Sequence, residues 1–347
     1  MRLITHARLI TRLVAITLSF FALPSTYDAR ADNFYVNRAI EFIVAGNAGA
    51  GYDTYARTLA RHMGRHIPGS PTFVIRNMPG AGGIVAASWL ANVAPKDDST
   101  VGAIYPGSIM SPILQPETKL TYDPASFKYI GSADSSVYLC AIYHTTRVGS
   151  YDAARQQPIV VGASSAGSTM EFANLHIRAG GVKFKVVTGY KGTADIMLAM
   201  ERGEVEGLCG LDWASAQAQR PDWVRDGKLK FIVQDALVPN EELTKRGTPH
   251  SLTLFSDPLD REAAELVFSQ QVFGRPYLAP AGTPGARVEV LRAAFMATMK
   301  DPGFVADAQK SRLNIAPADG AKVEELIQRA FSASDRTVRR ARELIAP

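Results

Sequence analysis

The sequence predicts an α/β protein folded as two doubly wound αβ domains. Three observations lead there: short apolar runs alternate with helical periodicity, the alternation restarts after an apolar stretch near the middle, and the length exceeds what one compact core usually serves. Strands that alternate with helices are joined by crossovers, which makes neighbouring strands run parallel.

The chain opens with Arg2, Arg8 and Arg12, an apolar run over residues 13–23 and a polar stretch ending Asp28-Ala29-Arg30-Ala31. A basic region, an apolar core and an Ala-x-Ala site have the layout of a secretory signal peptide. The core is well short of the roughly 20 residues that a membrane helix needs. Cleavage is expected after Ala31, and no later segment is apolar enough to span a bilayer, so the mature chain is expected to be free in the exported compartment.

Residues 40–44 read as a strand, 46–51 as a Gly-rich turn, and Tyr52, Tyr55, Ala56, Leu59, Ala60 and Met63 as the apolar stripe of a helix. A second round follows: a strand at 72–76, the turn Asn77-Met78-Pro79-Gly80-Ala81-Gly82-Gly83, a helix at 84–92 and a strand at 101–105. After the apolar stretch 137–143 the pattern restarts with a strand at 159–163 and a small-residue turn at 164–168. The next helix opens Ser168-Thr169-Met170-Glu171, a spacing that predicts a capping box in which hydroxyl and carboxylate satisfy free amides. A strand at 184–188, the turn Gly189-Tyr190-Lys191-Gly192, a helix at 194–202 and strands at 205–210 and 229–234 complete the second unit. Residues 235–260 lack periodicity and read as a surface connection. Helices dominate beyond it, with Val323, Leu326, Ile327, Ala330 and Phe331 forming a stripe on the final one.

Losing the first 31 residues would remove four arginines and Asp28, taking the formal charge from +5 to +2. So small an excess, without a basic stripe interleaved with aromatics, argues against a nucleic-acid partner. Cys140 and Cys209 are the only cysteines, too few for a disulfide scaffold; one bridge or two buried thiols both fit the sequence.

Three turns lie between a strand's C-terminal end and a helix start: Asn47-Ala48-Gly49-Ala50-Gly51-Tyr52-Asp53, Ser164-Ser165-Ala166-Gly167-Ser168-Thr169, and Tyr190-Lys191-Gly192-Thr193. There, small residues let backbone amides approach a ligand and the helix dipole favours an anion. In open αβ sheets that edge is also where ligands bind. Asp212, just past the 205–210 strand, joins the candidate site, and Tyr52, Tyr105, Tyr190 and Trp213 are candidates for an aromatic wall.

Several motifs now fall in a familiar order. Residues 42–57, the turn 77–83, the Ala94-Pro95-Lys96-Asp97 corner, residues 120–123, and Gly189-Tyr190-Lys191-Gly192 followed by Gly203-Glu204-Val205 closely resemble the substrate-binding proteins of tripartite tricarboxylate transporters, the Bug family. The resemblance implies a type II periplasmic binding-protein fold, a Venus flytrap of two αβ domains joined by two crossing strands and closing on a carboxylated solute. It further implies that backbone amides of the loops Asn47 to Asp53 and Ser164 to Thr169, with Tyr190-Lys191-Gly192 close by, hold one carboxylate. The chain departs from the family at Ala45-Gly46 and Gly49-Ala50, where Pro-Phe and Gly-Gly are usual, and at Gly189, where Pro is usual; these changes alter pocket shape.

Rival readings fit less well. The first turn does not complete G-x-G-x-x-G, and the second strand ends at Arg76-Asn77 without an acidic residue for a ribose. Residues 162–167 miss G-x-S-x-G by one position, so a hydrolase triad with His144, His176 or His250 is unsupported. His62 and His66 lie four apart, but no Glu follows His62, and an exposed polar face is the expected account.

The expectations are therefore a signal peptide over 1–31, one domain over 32–140 plus 275–347, a second over 141–274, and a cleft between them. The crossings near 137–143 and 272–279 would form the hinge. The protein is expected to be a monomeric, non-enzymatic periplasmic binder without cofactor or metal. The resemblance adds the small and large integral membrane subunits of a transporter as partners, with presentation of the ligand to a sensor kinase as the alternative role.

Overall fold

The computed structural model describes residues 34–347 apart from 118, 166 and 191; the expected signal segment and the site candidates Ala166 and Lys191 lie outside the described residues. Two sheets organise the chain. The first contains β1 (Ala39–Val44), β2 (Thr72–Asn77), β3 (Thr100–Ala103), β4 (Lys128–Ser132), β10 (Pro276–Ala279) and the short β11 (Ala318–Asp319), in the order β11-β4-β10-β3-β1-β2. The second contains β5 (Tyr138–Tyr143), β6 (Ile159–Gly162), β7 (Phe184–Val187), β8 (Gly207–Asp212) and β9 (Leu229–Asp235), in the order β7-β6-β8-β5-β9.

The expected parallel crossovers account for β1–β2, β1–β3, β6–β7 and β6–β8. Apart from the two-residue β11, which pairs antiparallel with β4, two strands break the rule. β10 runs antiparallel to β3 and β4, and β5 antiparallel to β8 and β9. Both follow a crossing from the other sheet, so neither is tied to its neighbours by a short crossover helix.

The helices of the first half are α1 (Gly51–Met63), α2 (Ile84–Asn92), α3 (Pro106–Leu114), α4 (Tyr151–Gln156), α5 (Ser168–Gly180), α6 (Thr193–Glu201), α7 (Trp213–Gln219) and α8 (Pro221–Arg225). They are followed by α9 (Glu241–Lys245), α10 (Pro258–Val272), α11 (Gly285–Met299), α12 (Pro302–Lys310), α13 (Gly320–Phe331) and α14 (Asp335–Ile345). The 235–260 connection is more structured than its aperiodic sequence suggests: α9 lies within it, and Leu243 and Phe255 are buried. The predicted stripe of Val323, Leu326, Ile327 and Ala330 is buried on α13, but α14 follows it. That last helix leans on α5 and α10: Arg178 donates to the Glu343 and Ala346 carbonyls and Asn174 to the Ala346 carbonyl, closing the exposed carbonyl end of α14.

Cys140 and Cys209 form a disulfide across β5 and β8, which resolves the alternative left by the sequence. It sits beside the irregularity where β5 and β8 slip register. Gly210 follows with φ +65°, and a Cβ there would stand 2.3 Å from the Ser168 carbonyl oxygen. Only glycine lets the start of α5 settle so closely on the sheet. Phe172, one turn into α5, stacks on Phe268 of α10 and meets Tyr138 edge-on at 5.0 Å. Burying each such ring contributes about 2–3 kcal/mol.

Among the described residues no helix is long and apolar enough to cross a membrane.

Candidate functional site

A cavity of about 290 Å³ opens where the two sheets face each other. Tyr52 on α1 and Pro106 and Gly107 on α3 line it from the first sheet's side, and Ser168, Glu171 and Phe172 on α5 from the second. Its floor is the pair of crossings, through Ser136, Tyr138, Gln271, Gly274 and Arg275. A larger cavity of about 620 Å³ lies among α10, α13 and α14, lined by Leu266, Leu326 and Ala330. It sits in the helical layer, and the helix starts at its wall, those of α13 and α14, are already capped by Asp319 and Ser334, so the smaller cleft is the better candidate.

Four helices begin at or near this edge without a side-chain cap: α1 after Ala50, α3 after Tyr105, α5 after Gly167 and α6 after Gly192. Their first-turn amides lack the side-chain acceptor that Ser, Asp or Asn would provide. The capping box expected at α5 does not form. The helix starts one residue earlier than that motif requires, Ser168 donates instead to the Gly210 carbonyl at 3.2 Å, and the Glu171 side chain makes no hydrogen bond or ion pair among the described residues.

The site residues predicted from sequence divide into those that line the cleft and those that build it. Tyr52 and Ser168 line it. Asn47, Ala48, Gly49, Ala50 and Gly51 form the exposed loop in front of α1. Asp53 is buried and braces that loop, accepting from the Gly49 amide at 2.7 Å, Arg57 at 2.8 Å and Asn77 at 2.9 Å. Burial pushes its pKa up, but these three donors outweigh burial and hold it below the usual carboxylate range. Thr169 is buried and bonds the Ser164 amide and hydroxyl, fixing the loop that carries Ser165 and Gly167. Tyr190 packs against Gly162 beside Gly192, and neither lines the cavity. Asp212 caps α7 by accepting from the Ser215 amide at 2.8 Å. Trp213, a candidate for the aromatic wall, is buried instead against Phe231 because its ring faces the second sheet's outer core.

Tyr105 does contribute. Its ring meets Tyr52 edge-on at 4.3 Å, and Gly83, at φ +95°, leaves room for it where a Cβ would approach within 2.9 Å. The Tyr52 hydroxyl donates to the Gly274 carbonyl at 2.6 Å, tying α1 to the second crossing. Sequence reasoning missed the start of α3, although Pro106-Gly107 after a strand is a turn signal. It also missed Arg275, whose signal was a lone cation in an apolar crossing. The Arg275 guanidinium lies 4.4 Å from the Tyr52 ring centre and 5.1 Å from that of Tyr55, donates through Nη1 to Gly274, and has a buried Nε without a partner.

Three histidines weighed as metal or catalytic candidates make structural pairings. His62 and His66 are not an exposed face: they pair with Asp307 at 2.8 Å and Asp301 at 2.9 Å, which pins the end of α1 to α12. His176 is fully buried between Tyr151 and Asp235.

The family model for the tripartite tricarboxylate transporter family receptor matches residues 55–343. A Cupriavidus necator protein described as the UPF0065 protein in the gbd 5′ region is 26% identical over 303 residues, covering 83% of this chain and 81% of that protein. A TctC solute-binding protein from Polaromonas, solved without ligand, superposes with a TM-score of 0.68 at 19% identity over 86% of this chain and 96% of that one. The R. palustris protein Rpa4515, solved with adipate, superposes with a TM-score of 0.56 at 19% identity over 88% and 97% of the two chains. These likenesses establish the fold of two-sheet solute-binding proteins.

Proposed function

The chain belongs to the tripartite tricarboxylate transporter receptor family, a family of solute-binding receptors and not of enzymes, and from that premise we propose that it captures a small organic acid in the cleft between its two sheets. The observation that carries the proposal is the convergence of the uncapped starts of α1, α3 and α5 on one small cavity that also holds the unpaired Arg275 Nε. Uncapped amides and a guanidinium are donors without acceptors, which is what a carboxylate supplies. A cavity of about 290 Å³ suits a solute of a few carbons.

In this reading Tyr52, Ser168 and Arg275 contact the solute, with the amides of the loops 47–53 and 164–169 and of the α3 start around it, and Tyr190 and Gly192 beside the second loop. Two domains, 32–140 with 275–347 and 141–274, close about the crossings, though the packing of α14 on α5 ties the C-terminus to the second domain as well. The protein works in the periplasm after removal of residues 1–31 and delivers its solute to the small and large membrane subunits of a tripartite transporter.

Thermal unfolding of the chain from Asp32 onward, with a panel of carboxylic acids and their amides, tests the proposal. An acid at a hundred times its dissociation constant adds about 2.7 kcal/mol, a shift of a few degrees. Acids that raise the midpoint while their amides do not support the carboxylate cleft; no response to any acid contradicts it.

A further inference from the structure

Glu171 is the fourth residue of α5, and the one-residue offset from the expected capping box leaves its side chain on the cavity wall instead of folded back over the helix start. Arg275 lines the same cavity, and two more charged groups, Asp134 and Asp212, lie close enough to act on Tyr138 at its floor. Asp212 is held by the Ser215 amide, Asp134 by Asn314 at 2.6 Å, and Arg275 lies against the rings of Tyr52 and Tyr55. All four charges act on Tyr138 at the cavity floor. Of the three carboxylates, Glu171 alone has no hydrogen-bond or ion-pair partner among the described residues. Burial pushes its pKa up, and among the described residues nothing offsets that penalty.

A ligand carrying only negative charge would satisfy Arg275 and the helix-start amides but would bring another anion toward Glu171, Asp134 and Asp212. A ligand with one positive group removes the conflict, because an ammonium facing Glu171 supplies the missing partner. Resting on the carboxylate-binding reading above, we propose that the solute is an amino-acid-like zwitterion, its carboxylate facing Arg275 and the free amides and its protonated amine facing Glu171. Glu171 is then the residue that separates amino acids from plain organic acids of the same carbon skeleton.

Titration calorimetry with matched probes tests this: L-aspartate against succinate and L-malate, L-glutamate against glutarate, and L-alanine against L-lactate, on the native chain, Glu171→Gln and Glu171→Asp. The amine-bearing member of at least one set is expected to bind at least tenfold tighter to the native chain. Glu171→Gln should erase most of that preference by weakening the amino acid while leaving the plain acid unchanged or tighter. Glu171→Asp, which keeps the charge, should retain the preference, and it carries the test if the Gln variant fails to fold. Equal or tighter native binding of the plain acid, or a preference that survives Glu171→Gln, overturns the inference and leaves the carboxylate reading standing. Failure of every acid to bind overturns both.

Discussion

Helices α1, α3, α5 and α6 begin behind Ala50, Tyr105, Gly167 and Gly192, and among the described residues no side chain caps any of them. In the C-terminal part, α10, α12, α13 and α14 begin behind Asp257, Asp301, Asp319 and Ser334, each of which accepts from first-turn amides. The division is not complete: α7 is capped by Asp212 near the cleft, and α2, α8 and α11 start uncapped behind Gly83, Arg220 and Pro284. Caps stabilise a helix by occupying its amides, so they suit helices that only have to be stable; a helix start meant to receive an anion must leave its amides free. The cleft-edge helices are instead held from the side and from behind: α1 by Asp53 and Tyr52, α3 by Tyr105 seated over Gly83, and α5 by Gly210 and the adjoining disulfide.

The largest effect should come from removing that support. Cys140→Ala with Cys209→Ala opens a loop closed across 69 residues of sequence and should cost about 4 kcal/mol in denaturant unfolding. A loss below about 1 kcal/mol would mean that α5 does not depend on the cross-link. Next is a pH effect at the cleft floor. Burial, against the opposing pull of Asn314 and Arg275, pushes the Asp134 pKa up to about 6. The folded state therefore favours its protonated form, and the stability this provides is full below the ordinary carboxylate pKa and lost as pH rises through about 6. Asp134→Asn should gain up to about 3 kcal/mol over the native chain between pH 4 and 7, and a difference curve that stays flat would contradict the assignment. The smallest effects test the caps themselves. Asp257→Ala should cost about 1 kcal/mol without changing ligand affinity. Ala50→Ser, at a position whose φ −77° and ψ 169° suit a cap, should gain about 0.5 kcal/mol while weakening acid binding several-fold. Equal affinities in the two variants would break the comparison.

The alternation of strands and helices was legible because burial on both faces of a parallel sheet leaves short apolar runs bounded by turn residues. The direction of β5 and β10 was not, since antiparallel pairing there follows from the chain crossing between sheets, which periodicity does not record. At the site, the loops before α1 and α5 were legible as Gly- and Ser-rich turns. Glu171 was misread because a capping box and a helix started one residue earlier share the same letters; the positive φ of Gly167 decides between them. Arg275 was hidden because its role comes from Tyr52 and Tyr55, more than 200 positions away in sequence.

Amide hydrogen exchange with and without a bound acid tests the cleft most directly. The account predicts new protection at the starts of α1, α3 and α5, around residues 51–53, at Gly107 and at 168–169, with the capped starts of α10, α12 and α13 unchanged. Protection confined instead to the helical groove around Leu266, Leu326 and Ala330 would contradict it.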